Sequence, residues 1–190
     1  MEVRKQIEKS IELQHKLLSD EAMLARIEDC IDLITETYRA GGKVLFCGNG
    51  GSAADAQHLS AELSGCFYMD RDPLNAEALH VNSSFMTATA NDQSFDKVYK
   101  RMVEATGKKG DVLVALSTSG TSSNILKALK AAGERGMKTI GMTGSDGRRM
   151  AEYCDVLIRV PSADTPRIQE MHMLIGHIIC ENVESILFRK

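Results

Sequence analysis

The chain is expected to fold as an α/β protein: a three-layer sandwich with a mainly parallel central sheet flanked by helices, plus an N-terminal helical extension. Two patterns lead there. Short β-rich apolar runs occur at Lys43–Cys47, Glu77–Val81, Asp111–Ser117, Lys138–Thr143 and Asp155–Val160. Helical stretches separate most of them, the pattern of strands joined by helices that cover both faces of one sheet.

The elements follow in order. Val3, Ile7, Ile11, Leu17 and Leu18, then Leu24, Ile27, Ile31, Ile34 and Tyr38, sit mostly three or four apart, so the first forty residues read as two amphipathic helices. Ser19-Asp20 offers a cap for the second, and Gly41-Gly42 closes it. Further helices are expected at about Ser52–Leu63, Phe95–Thr106, Ser122–Arg135 and Arg148–Tyr153, and a long one from Arg167 to about Phe188. No repeat or linker divides the chain, so residues 1–190 are read as one domain, with 1–40 as the extension. Two amphipathic helices without an obvious covering layer point to packing against other subunits. The plainer alternative is that they cover the domain's own sheet.

Composition narrows the function. The 190 residues are 43% hydrophobic and 26% charged, with a formal charge of −3, which argues against a globally basic nucleic-acid binder. Aromatics are 5% and Trp is absent, so base-stacking platforms are not expected. No apolar run reaches the roughly 20 residues that span a bilayer, and early acids argue against a signal peptide. The five cysteines, Cys30, Cys47, Cys66, Cys154 and Cys180, form no CxxC pair, which fits a reducing cytoplasm.

In a parallel sheet, ligands bind beyond the carboxyl ends of the strands, so the loops there carry the argument. The first is Cys47-Gly48-Asn49-Gly50-Gly51-Ser52, whose glycines let backbone N–H groups close on an anion at a helix start. Gly48, Gly50 and Ala53 satisfy a dinucleotide fingerprint, but the end of the second strand, Ala78 to Ser84, offers no acid for a ribose. No nucleotide cofactor is expected. The second loop, Ser117-Thr118-Ser119-Gly120-Thr121-Ser122-Ser123, carries six hydroxyls in seven residues. Capping needs one, so the loop is read as a site for a single phosphate.

Two weaker signals lie on helices. His58 and Glu62 are four apart and share a face, as ligands or acid–base groups do. Gln169 and His177 are eight apart on the last helix, and His177 lies in an apolar stretch where a core histidine with a satisfied partner is the default reading.

Together and in this order, Cys-Gly-Asn-Gly-Gly-Ser at 47–52, Asn91-Asp92, Ser-Thr-Ser-Gly at 117–120 and Arg-Ile-Gln-Glu at 167–170 resemble the sugar isomerase (SIS) domain family, within it the phosphoheptose isomerases. The resemblance covers essentially the whole chain. It implies a homotetramer with active sites between subunits. It also implies conversion of sedoheptulose 7-phosphate to D-glycero-D-manno-heptose 7-phosphate, the first step toward heptose for lipopolysaccharide or another surface polysaccharide. By position, Ser117, Thr118, Ser119 and Ser122 would hold phosphate, and Asn49, Gly50, Gly51, Ser52, Asn91 and Asp92 would line the sugar site. Glu62 and His177 would be the proton-transfer pair, with Gln169 beside them. Where relatives bind zinc, the matching ligands, for one ion per subunit, would be His58, Glu62, Gln169 and His177. Relatives often carry arginine at the position of Cys66; here Arg71 stands in for it, or a contact is lost. A non-catalytic adaptor of the same fold, which binds the replication initiator protein, is the alternative. It lacks the Glu and His matching Glu62 and His177, and both are present in this chain.

Overall fold

The computed structural model describes residues 2–189, the side chain of Arg148 excepted. In chain order the elements are α1 (Val3–Leu18), α2 (Glu21–Arg39), β1 (Val44–Gly48), α3 (Gly51–Ser64), β2 (Ala76–Ala78), α4 (Ser83–Asp92), a 3-10 turn (Phe95–Lys97) and α5 (Val98–Thr106). β3 (Val112–Ser117), α6 (Ser123–Glu134), β4 (Lys138–Thr143), α7 (Arg148–Ala151), β5 (Val156–Arg159) and α8 (Thr165–Phe188) follow. The strands form one sheet in the order β2-β1-β3-β4-β5, and every neighbouring pair is parallel.

β1 and β3 are buried along their whole length, which is why they read as unbroken apolar runs and sit inside the sheet. Alternate residues point to opposite faces. Val44, Phe46, Val112, Val114, Leu116, Ile140 and Met142 meet α2, α3 and α8 in one core. Leu45, Cys47, Leu113 and Ala115 meet α5 and α6 in the other. The sandwich expected from the sequence is the sandwich observed.

Two local expectations need correction. β2 spans only Ala76–Ala78 and not Glu77–Val81, because the chain turns after Leu79 donates to the Phe46 carbonyl. The residues beyond it begin α4, a helix that periodicity did not reveal. Its Ser and Thr residues are poor helix formers, and the start depends on Asn82, whose Oδ1 accepts the Phe85 N–H at 3.0 Å.

The extension divides in two. α2, capped by Asp20 as expected, puts Met23, Ile27, Cys30, Ile31 and Ile34 into the core against the sheet and α8. It covers the chain's own sheet. α1 buries Leu13 and Leu17 but leaves Val3, Ile7, Ile11 and Leu18 exposed. Arg167 and Glu170 of the Arg-Ile-Gln-Glu motif pin it, the first donating to the Gln6 carbonyl at 3.1 Å and the second accepting from Ser10 at 2.9 Å.

Candidate active site

The glycine loop leaves β1 under steric constraint. A Cβ on Gly48 would lie 2.2 Å from the Ser52 carbonyl oxygen, and Gly50 has φ +56°. A Cβ on Gly51 would lie 2.5 Å from Nε2 of Gln169, so the α8 carboxamide rests directly on the first turn of α3. The buried Tyr99 hydroxyl donates to the Gly48 carbonyl from α5. Burial pushes the Tyr99 phenol up from its ordinary value, so it stays a proton donor in this bond.

The hydroxyl-rich loop leaves β3, the strand paired with β1, so both loops open on one edge of the sheet. Gly120 has φ +66°, and a Cβ there would lie 2.6 Å from the Gly147 Cα. Ser117 donates to Ser122 at 3.2 Å, and the Thr121 N–H and hydroxyl both reach Ser119 Oγ. Ser122 holds the N-cap position of α6 without a side-chain capping bond. Plain capping therefore does not account for it, and the positive helix end stays available to an anion. Ser123, one of the six hydroxyls, turns instead to Asp96 at 2.8 Å.

The glycine and hydroxyl loops are tied together. Asn49 and Asn124 exchange carboxamide hydrogen bonds of 2.9 and 2.8 Å. Asn124 had no signal in the sequence beyond its place after the serines.

Further along α3, the i,i+4 pair meets α8. His58 Nε2 lies 3.0 Å from Glu62 Oε1 and 2.9 Å from His177 Nε2. One ligand atom from each of the three lies within 4.8 Å of the others. Two imidazole nitrogens and a carboxylate oxygen at this spacing are a donor set that zinc accepts. His177 therefore faces the His58–Glu62 pair, and its apolar neighbours on α8 are the faces that pack inward. The Phe67 ring stands 5.7 Å from the His177 ring.

A buried clamp fixes the segment after α3. Arg71 Nε meets Glu184 Oε1 at 2.7 Å, with the side chains 2% and 1% exposed. Arg71 also donates to the Glu62 and Leu63 carbonyls, each at 3.0 Å, closing the end of the helix that carries Glu62. Glu184 accepts the Phe67, Tyr68 and Met69 N–H groups. Burial alone would push its carboxyl up; the Tyr68 and Phe67 amides and the Arg71 guanidinium outweigh that and hold it below the ordinary value. Arg71 accordingly does not stand in for an arginine that touches substrate, because its guanidinium is spent inside the protein. Cys66 is exposed nearby with a free thiol.

Asn91 and Asp92 lie exposed at the end of α4, with Asn91 donating to Asp92 at 2.8 Å. The structure therefore brings together His58, Glu62 and His177, then Ser117 with Ser122, then Gln169 with Gly51; the Asn91-Asp92 pair bonds to itself. Tyr99, Asn124 and Glu184 are the residues that sequence reasoning missed. Among the described residues, no helix is long and apolar enough to cross a membrane.

This combination of a parallel sheet, a glycine-rich and a hydroxyl-rich loop and a helix-borne His-Glu-His cluster has known counterparts. Residues 7–144 match the SIS domain model. A phosphoheptose isomerase of Rhodospirillum rubrum is 56% identical over 85% of this chain and 86% of its own length. One from Clostridium acetobutylicum is 49% identical over 98% of this chain and 95% of its own. The solved phosphoheptose isomerase of Neisseria gonorrhoeae superposes with a TM-score of 0.90 at 41% identity, covering 96% of this chain and 97% of that one. The chain belongs to the SIS domain family and, within it, to the phosphoheptose isomerases. The adaptor alternative gains nothing from these relatives.

Proposed function

We propose that this enzyme interconverts sedoheptulose 7-phosphate and D-glycero-D-manno-heptose 7-phosphate through an enediol, supplying heptose for a surface polysaccharide such as lipopolysaccharide. The observation that carries the reading is the meeting of Glu62, His58 and His177 within hydrogen-bonding distance, on helices that flank the two loops. Relatives that bear the isomerase name supply the substrate class.

The phosphate rests on Ser117, Thr118, Ser119 and Ser122 at the N-terminus of α6. Asn49, Gly50, Gly51 and Ser52, with Asn91 and Asp92, hold the sugar hydroxyls. Glu62 takes the proton from C1 of the ketose and returns it to C2, and His177 moves a proton between the two oxygens. Gln169, seated on Gly51, presents its carboxamide to the oxygen where charge develops. His58, Glu62 and His177, with Gln169, would hold one zinc ion per subunit; with Gln169 as a fourth ligand the ion would be closed and structural, and with Gln169 on the substrate oxygen instead the open position would let the ion polarise the carbonyl oxygen. A homotetramer in the cytoplasm, with sites shared between subunits, accounts for the exposed apolar face of α1. It also accounts for the adjoining apolar groove lined by Ile11, Leu18, Leu24, Leu174 and Ile178.

Glu62→Gln keeps the shape and removes the base. The expected result is loss of turnover with assembly and inhibition by inorganic phosphate retained; turnover at the wild-type rate would refute the assignment.

A further inference from the structure

We infer that Asn124 is a positioning residue that fixes the orientation of the Asn49 carboxamide and the spacing between the sugar-holding and phosphate-holding loops. The inference rests on the isomerase reading above and extends it to a residue that touches no substrate.

The geometry sets up a chain of constraint. Asn124 is 3% exposed on the first turn of α6. Its Oδ1 accepts two hydrogen bonds, from the Ile125 N–H at 3.0 Å and from Asn49 Nδ2 at 2.9 Å. Its Nδ2 donates to Asn49 Oδ1 at 2.8 Å. The Ile125 N–H, shared with the Ser122 carbonyl at 3.1 Å, can only donate, and an amino group turned against it would set donor against donor, so it fixes which end of the Asn124 carboxamide is oxygen. That choice dictates the Asn49 carboxamide in turn. Flipping it would set oxygen against oxygen and nitrogen against nitrogen, losing both bonds. One N–H and one lone pair remain on the half-buried Asn49, and their directions are settled before a ligand arrives.

The same pair bridges two loops that leave adjacent parallel strands. The Tyr99 hydroxyl holds the Gly48 carbonyl from the other side. The loop that grips one end of a phosphosugar is thus locked to the loop that contacts its polar hydroxyls. Spacing of this kind governs how well the carbons at the far end present themselves to Glu62, where a displacement of about 1 Å can cost about a hundredfold in rate.

The test is a double-mutant cycle on kcat/KM for sedoheptulose 7-phosphate, using Asn49→Ala, Asn124→Ala and the double variant. Positioning predicts that Asn124→Ala loses about tenfold or more, within the range for misplaced groups. The double variant should then be no worse than Asn49→Ala alone, and inhibition by inorganic phosphate should stay at its wild-type strength. Multiplying losses, or phosphate inhibition that weakens in step with kcat/KM, would overturn the inference in favour of a merely structural role. If Asn124→Ala does not fold, Asn124→Asp keeps the volume and both accepted bonds but loses the donor, and the same loss in kcat/KM is expected; its added charge at the start of α6 weakens phosphate inhibition in any case, so for this variant the cycle with Asn49→Ala alone decides. Wild-type enzyme that leaves sedoheptulose 7-phosphate unchanged would refute the functional reading instead. In that case a crystal structure of the folded Asn124 variant decides: a rotated Asn49 side chain supports positioning, and an unmoved one overturns it.

Discussion

Replacing His172 with leucine should make the protein more resistant to acid. His172 lies on α8 with 0% exposure, and neither ring nitrogen has a hydrogen-bond partner. Burial drives its pKa from 6.5 down to about 4; the backbone of Thr143 lies close enough to oppose the shift but not in hydrogen-bonding geometry. The folded state therefore refuses a proton that the unfolded chain accepts. Stability contributed by the neutral ring is fully present above about pH 6.5 and drains away as pH falls toward 4, at about 1.4 kcal/mol per pH unit. The total is about 3 kcal/mol, of which about 2 kcal/mol is already gone near pH 5. The assay is urea unfolding of wild type and His172→Leu at neutral pH and near pH 5, at one protomer concentration because assembly contributes to stability. The carboxylates and the other histidines are common to both proteins, so the difference between the two pH slopes isolates His172. The variant should lose about 2 kcal/mol less than wild type over that interval. Parallel slopes would show that the ring takes up its proton in the fold as readily as in the unfolded chain, and would refute the reasoning.

Other consequences are independent of that one. Glu184→Ala leaves the Arg71 guanidinium buried without its carboxylate, which should cost about 3–5 kcal/mol and appear as a large drop in melting temperature; a temperature near wild type would mean that the segment rearranges to let Arg71 reach water. Gly48→Ala drives a Cβ into the Ser52 main chain and displaces the loop assigned to the sugar hydroxyls, so both kcat/KM and thermal stability should fall. Chelation should lower the melting temperature as well as activity if zinc fills the His58–Glu62–His177 cluster, by about 2.7 kcal/mol of stability at a hundredfold excess of metal over its dissociation constant. An unchanged melting curve, with no metal found by elemental analysis, would remove zinc from the mechanism.

Legibility in the sequence followed physical cause. β1 and β3 were readable because strands buried on both faces must be largely apolar, and α8 because its inward residues recur at helical spacing. α4 was not, because Asn82 starts it and neighbouring turns hold it, while its own residues favour caps and strands. At the site, the two loops announced themselves through glycines and hydroxyls that ordinary turns do not need. His177 did not, since an imidazole among apolar neighbours reads the same whether it lines a cleft or fills a core. Glu184 is the plainest case: one acid near the end of a long helix looks like a solvated face until three amides and Arg71 converge on it. Arg71 was left open between a stand-in for a missing arginine and a lost contact, and its bonds to Glu184 and the Glu62 and Leu63 carbonyls decide for the second.

The central claim, enediol isomerisation with Glu62 as the base, is tested most directly by incubating the zinc-supplied enzyme with sedoheptulose 7-phosphate in deuterated water and following the products by NMR. Enzyme-dependent aldose carrying solvent deuterium at C2 is expected, and none from Glu62→Gln. Folded wild-type enzyme that produces neither aldose nor exchange at C1 would contradict it.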